Sequence, residues 1–225
     1  ILVRESGLWA IRFLMLTLAI TPLKAILAWP QLTTLRRMLG VAALGYTSVH
    51  LLAFSADLTF DLGAIAAELA FRFYLAVGTI AFLIMVPLGL TSTDAMVKRL
   101  GGPRWKRLHQ MAYVIGFLSV LHFFLLLLKL ITPEATIWAG LFVWMMAYRG
   151  LAFWVGRPGK WWGLGLVAVA TVSTMLLEAG FFLFLSTLGT DRVFLILSAN
   201  WNGQAGLRPS WIVAMLVLSL WIIGI

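Results

Sequence analysis

The chain of 225 residues contains no cysteine. That absence excludes disulfides, thiolate-bound metals, iron–sulfur clusters and haem attached through a CxxCH motif. Charge is also scarce. Asp, Glu, Lys and Arg make up 11% of the residues, against about 25% in an ordinary soluble domain. No glycine-rich dinucleotide fingerprint follows a strand pattern, and no Walker motif occurs. The chain therefore does not bind NAD(P)H in the usual fold by itself, so any reducing equivalents it uses come from another molecule. Segments of about ten residues that alternate apolar and polar, the mark of a transmembrane β-barrel, are missing. Internal repeats, low-complexity tracts and a separate soluble domain are missing as well.

What remains is hydrophobic. Apolar residues make up 62% of the chain, and the mean hydropathy is +1.01. Disorder needs low hydrophobicity and is excluded. The composition predicts an all-α fold, a polytopic bundle of six or seven transmembrane helices. A span needs about 20 apolar residues. Candidates lie at about 5–22, 38–57, 71–91, 107–131, 135–155, 161–189 and 207–225. The first is short and carries Arg12. Pro22 and Pro30 bracket Leu23–Trp29, a stretch expected to lie at the membrane interface.

The formal net charge is +9. Nucleic acid is the soluble-protein reading of such an excess, but here the basic residues crowd into short gaps between apolar runs. Three alternate gaps hold eleven of them: Lys24, Arg36 and Arg37; Lys98, Arg99, Arg104, Lys106 and Arg107; and Arg149, Arg157 and Lys160. The opposite gaps hold Arg72, Lys129, Arg192 and Arg208, beside Asp57, Asp61, Glu68, Glu134 and Asp191. The positive-inside rule makes the basic gaps cytoplasmic. The cluster from Lys98 to Arg107 could also steer an anionic donor or lipid head groups, although topology alone accounts for it. Ile1–Gly7 does not read as a signal peptide. With Ile1 outside, an upstream helix is expected to be missing.

The chain has three histidines, His50, His109 and His122, all within or at the edge of apolar segments. An ionisable group at that depth costs a few kcal/mol, and function is the default suspicion. His50 lies thirteen residues beyond Arg37, roughly 20 Å along a helix. His122 lies fifteen beyond Arg107, roughly 22 Å. Spans two and four both run outward, so the two histidines share a depth in the outer part of the membrane. Two neutral imidazoles from facing helices suit the axial positions of a b-type haem. Zinc wants three or four clustered ligands, and no acid lies beside them at that depth. His109 sits near the cytoplasmic face, about 20 Å from His122. That separation suits a second haem, but the two residues do not share a helical face. Arg36 and Arg37 stand where a fourth histidine would, and arginine is a propionate partner, not an iron ligand. Gly116, Gly40 and Gly45 permit close approach of a flat macrocycle, though small residues also serve plain helix packing.

Together these residues resemble a known family. Arg36-Arg37-Met-Leu-Gly40 leads to His50-Leu51. Then come Arg72-Phe-Tyr74-Leu75-Ala-Val-Gly78, Thr91-Ser92-Thr93-Asp-Ala95-Met96, Arg104-Trp105-Lys-Arg-Leu108-His109 with Tyr113, and His122. Ile20-Thr21-Pro22-Leu23, Ile131-Thr132-Pro133 and Ala139-Gly140-Leu141 fit too. The pattern, over about residues 9–150, resembles the MsrQ (YedZ) family of haem-binding membrane subunits in the ferric-reductase-like transmembrane group. The resemblance implies haem b associated with His50, His109 and His122, and flavin mononucleotide (FMN) as a further cofactor. It implies electron flow across the bacterial inner membrane from quinol or a flavin reductase. The acceptor it implies is a periplasmic molybdenum-containing enzyme that reduces methionine sulfoxide. It tips Arg72 toward a haem propionate and away from a plain interfacial anchor.

The expected division is a haem-binding core over 1–155 and additional C-terminal helices over 156–225. Those helices carry Glu178, read equally as a proton relay or partner contact and as a carboxyl satisfied by a neighbour. A polar stretch, Ser198 to Gln204, is expected outside. The rival reading is an accessory structural subunit of a larger membrane complex. A transporter is weaker, because no carboxylate pairs or inverted repeat emerge.

Overall fold

A computed structural model describes residues 1–126, 133–156, 158, 160–184, 189–202 and 206–224. Among the described residues there are eleven α-helices and no strand. In hydrocarbon every backbone polar group must be satisfied internally, and a helix does so within one segment. Six helical stretches are long and apolar enough to cross a membrane: Leu2–Ile26, Leu32–Asp57, Phe73–Leu90, Gly102–Leu126, Pro133–Val155 and Trp161–Gly180.

The boundaries differ from the expected ones in physically readable ways. Helix α1, Leu2–Ile26, runs through Pro22 instead of stopping there, so most of the expected interfacial stretch Leu23–Trp29 is helical. The Pro22 ring is fully buried, and membrane helices tolerate proline where surrounding groups satisfy the freed backbone. The chain turns at Ala28, whose φ is 49°. Helix α2 is Leu32–Asp57. The expected third span, 71–91, corresponds to Phe73–Leu90, and a further short helix precedes it. Helix α3, Leu62–Phe71, ends at Arg72 in extended backbone, and α4, Phe73–Leu90, starts there. Asp61 caps α3, its carboxylate accepting from the amides of Gly63 at 2.8 Å and Ala64 at 3.2 Å, which satisfies two of the orphan donors of a helix start.

Thr93 caps α5, Asp94–Leu100, by accepting from the Met96 amide. Gly101, with φ of 75°, turns the chain into α6, Gly102–His109. A short break at Gln110 and Met111 precedes α7, Ala112–Leu126. The expected motif residues Ile131 and Thr132, with Lys129, lie outside the described residues, as do Arg157 and Gln204.

The chain divides into two compact units. Unit 1 comprises residues 1–20 and 31–125. There α2 packs on α4. Gly89 lets the Leu44 side chain approach so closely that a methyl group at position 89 would overlap it, the small-residue packing expected of membrane helices.

Unit 2 comprises residues 21–30 and 126–225. Its centre is α9, Lys160–Phe184, against which α8 (Pro133–Val155), α10 (Gly189–Ala199) and α11 (Pro209–Ile223) pack. Gly140 meets Thr174, and Gly163 meets Trp221. The expected seventh span is α11, which has 15 residues, fewer than the roughly 20 of a typical crossing. The end of α10 is tied to α11 by a hydrogen bond between Ser210 and Asn200 and by Trp211 Nε1, which donates to the Asn200 carbonyl at 2.7 Å.

One oxygen of the Glu178 carboxyl is held by a neighbour: Arg208 Nη2 donates to Glu178 Oε1 at 2.7 Å. Both side chains are largely removed from solvent, so removing one strands the other. Glu178→Ala is expected to destabilise the chain by about 3 kcal/mol. Glu178→Gln, which still accepts a hydrogen bond, is expected to cost less. Thermal unfolding in detergent checks both, and equal midpoints for Glu178→Ala and the parent chain would contradict the coupling.

Candidate functional site

Unit 1 brings His50 of α2 and His122 of α7 together. Their ring centroids are 6.4 Å apart and their planes are nearly perpendicular, at 82°. The predicted equality of depth is therefore met in the fold. His50 Nδ1 lies 2.7 Å from the Val3 carbonyl oxygen of α1. His122 Nδ1 lies 2.6 Å from the Tyr74 carbonyl oxygen of α4. A carbonyl only accepts, so each Nδ1 carries the proton and donates. Each Nε2 is then the unprotonated nitrogen of a neutral imidazole, the form that binds metal.

This arrangement fits a metal held between two imidazoles. At a metal–nitrogen distance of about 2.0–2.1 Å, two such rings on opposite sides of one ion have centroids about 6 Å apart. The donor set also fits an axial pair better than a zinc cluster. Among the described residues no group of three or more His, Asp or Glu could hold a metal ion. The helical carbonyls of Val3 and Tyr74 escape a sequence reading, because a backbone acceptor leaves no residue signature.

The structure does not bring His109 to this pair. His109 ends α6 and stacks on Trp105 at a centroid distance of 3.8 Å. Its Nδ1 is 3.1 Å from the Trp105 carbonyl, and its Nε2 is 3.3 Å from Ser92 Oγ. Trp105 Nε1 in turn donates to the Thr91 carbonyl at 2.9 Å. Both ring nitrogens of His109 are thus engaged by protein, and the Thr91-Ser92-Thr93 run is a joint between α4, α5 and α6.

The remaining site candidates are placed as follows. Arg37 forms an ion pair with Asp94 at 2.7 Å, solvent-exposed. Gly116 is buried within α7. Gly40 has only a Thr17 methyl near it, and Gly45 faces open space. Arg72 sits at the break between α3 and α4, two residues before the carbonyl that holds His122. Its Nε pairs with Glu68 at 2.7 Å, and its Nη1 donates to the Tyr74 hydroxyl at 3.4 Å. Tyr74 and Glu68 together hold the guanidinium above its ordinary pKa, so it is a fixed cation beside the histidine pair.

Comparison with known proteins places the chain in a family. Residues 6–120 match the family model described as ferric reductase like transmembrane component. Three relatives are each named protein-methionine-sulfoxide reductase heme-binding subunit MsrQ. The protein from Rhodospirillum rubrum is 42% identical over 65% of this chain and 70% of its own length. That from Caulobacter vibrioides is 38% identical over 69% and 73%. That from Azospira oryzae is 38% identical over 66% and 64%. The chain belongs to the MsrQ branch of the ferric-reductase-like transmembrane family. It is a multi-pass protein of the bacterial inner membrane. The match spans less than two thirds of some MsrQ relatives, 57% of that from Polaromonas naphthalenivorans. No solved structure matches the chain significantly. The family model covers two of the three histidines, His50 and His109, and stops two residues short of His122.

Trp105→Phe keeps the ring that stacks on His109 and deletes the N–H to Thr91. The expected cost is about 1 kcal/mol, read as a lowered unfolding midpoint in detergent. An unchanged midpoint would show that the joint does not depend on this bond.

Proposed function

We propose that the chain is a haem-binding transmembrane electron-transfer subunit in which His50 and His122 would hold one haem b. The observation that carries this reading is the pair of neutral imidazoles, 6.4 Å apart, each with Nδ1 donated to a carbonyl of another helix. The haem, when bound, supplies one-electron redox chemistry. The protein supplies orientation and environment. The carbonyls of Val3 and Tyr74 fix the tautomer and raise the basicity of each ligand. The apolar helices exclude water and lower the local dielectric, which sets the balance between charged and neutral redox states. Arg72, a cation beside the site, is the candidate partner for a propionate, and Glu68 holds it in place.

The finer assignments follow the family. The relatives' name joins a heme-binding subunit to a protein-methionine-sulfoxide reductase. We assign the same role here: electrons from quinol or a cytoplasmic flavin reductase to a periplasmic, molybdenum-containing partner. FMN is a further cofactor in this reading. His109 would mark an inner site only if the contact of its Nε2 with Ser92 were given up. Arg37 and Gly116 stay as haem-associated residues of the core over 1–155, and 156–225 supplies added helices.

The test is an optical and pyridine haemochrome analysis of the purified chain. The expected result is a reducible b-type signal at about one haem per chain, lost in His50→Ala and in His122→Ala and retained in His109→Ala. A colourless parent chain that co-purifies stoichiometrically with a larger membrane complex would favour the accessory-subunit reading instead.

A further inference from the structure

The two histidines are held by the same arrangement on two different helices. His50 donates to the Val3 carbonyl, and its ring lies against Gly7, four residues on. His122 donates to the Tyr74 carbonyl, and its ring lies against Gly78, again four residues on. The spacing has a geometric cause. In an α-helix the carbonyl of residue i accepts from the amide of i+4, and its oxygen has a second lone pair to offer. Each Cα–Cβ bond leans toward the helix N-terminus, so a Cβ at i+4 leans over that carbonyl and blocks the approach. Glycine at i+4 leaves it open.

The distances agree. A Cβ at Gly78 would stand 2.8 Å from His122 Nδ1 and 2.9 Å from its Cε1. A Cβ at Gly7 would stand 3.0 Å from both Nδ1 and Cε1 of His50. Such contact is not general to the glycines of this chain, since Gly45, Gly150, Gly165 and Gly180 have nothing within 4 Å of the same point.

We propose that Gly7 and Gly78, each with the carbonyl four residues before it, are paired imidazole seats: positioning residues that hold His50 and His122 as Nε2 donors to haem iron. The inference rests on the haem reading above and adds the residues that set ligand tautomer and ring orientation. They lie on α1 and α4, helices that carry no ligand of their own. Their side chains are hydrogen atoms, so their part in the site is steric.

The experiment compares the purified full chain with Gly78→Ala, Gly7→Ala and Gly165→Ala. Haem retention is read by pyridine haemochrome after gel filtration, and ligation by the low-spin electron paramagnetic resonance signal. Gly78→Ala is expected to lower haem affinity about 10-fold or more, the range for loss of an outer-shell partner, and to shift the low-spin signal. Gly7→Ala is expected to act in the same direction but less, and Gly165→Ala to match the parent chain. A Gly78→Ala chain with parental affinity and signal would overturn the inference and leave the haem reading intact. A parent chain without haem would overturn the haem reading itself. Should Gly78→Ala fail to fold, nitrogen-15 histidine spectra of the haem-free parent chain decide the matter. His50 and His122 are expected with the proton on Nδ1, and a proton on Nε2 of either would overturn the seats.

Discussion

The cost of leaving a polar group unpaired in hydrocarbon governs this structure. Each such group costs several kcal/mol, and the chain avoids that cost at nearly every step by local means. Hydroxyl groups bond back to the carbonyl four residues earlier on their own helix: Thr17 to Phe13, Thr47 to Ala43, Ser48 to Leu44, Thr79 to Leu75, Thr174 to Ala170. His109 follows the same local rule, its Nδ1 meeting the Trp105 carbonyl one turn back. His50 and His122 break it. Their partners are 47 and 48 residues away in the chain. A histidine satisfied by its own helix needs no neighbour. One satisfied by another helix is fixed in space by tertiary structure, as a metal ligand must be.

That contrast explains what could be read from the sequence. The helical class, the membrane location and the convergence of His50 with His122 follow from run length, charge bias and rise per residue, because these are one-dimensional quantities. The interruptions were less legible. Helix α3 occupies what reads as a gap before the third span and ends at Arg72, and Pro22 fails to end α1 although proline breaks most soluble helices. In both cases packing and capping, not composition, decide. The sequence sets His109 apart by depth, near the cytoplasmic face, but not by its surroundings. There the approach of Ser92 and the stacking on Trp105 distinguish it. Gly78 was visible as part of a motif, Gly7 not at all, since a glycine's role as empty space depends on what fills it.

The C-terminal unit shows the same constraint solved by charge. Glu178 has no hydroxyl-like return to its own helix that would neutralise it. Arg208, thirty residues on, supplies the counter-charge. Such a pair is weak evidence for net stability, because desolvation offsets much of the Coulomb attraction. Its consequence is specificity: α9 and the start of α11 are matched at one register. The family model ends at residue 120, so this pairing belongs to a part of the chain that the model does not describe.

The placement of charge around the histidine pair closes the physical argument. No acid lies within the paired imidazoles' own hydrogen-bond set, and Arg72 is already partnered by Glu68 and Tyr74. The imidazoles are therefore neutral donors in a low-dielectric setting. A carboxylate in place of either carbonyl would add a negative charge and favour the oxidised state of a bound metal. A carbonyl orients the ring equally well without adding charge. Two helical carbonyls, each uncovered by a glycine, thus orient the paired imidazoles without placing a charge beside them.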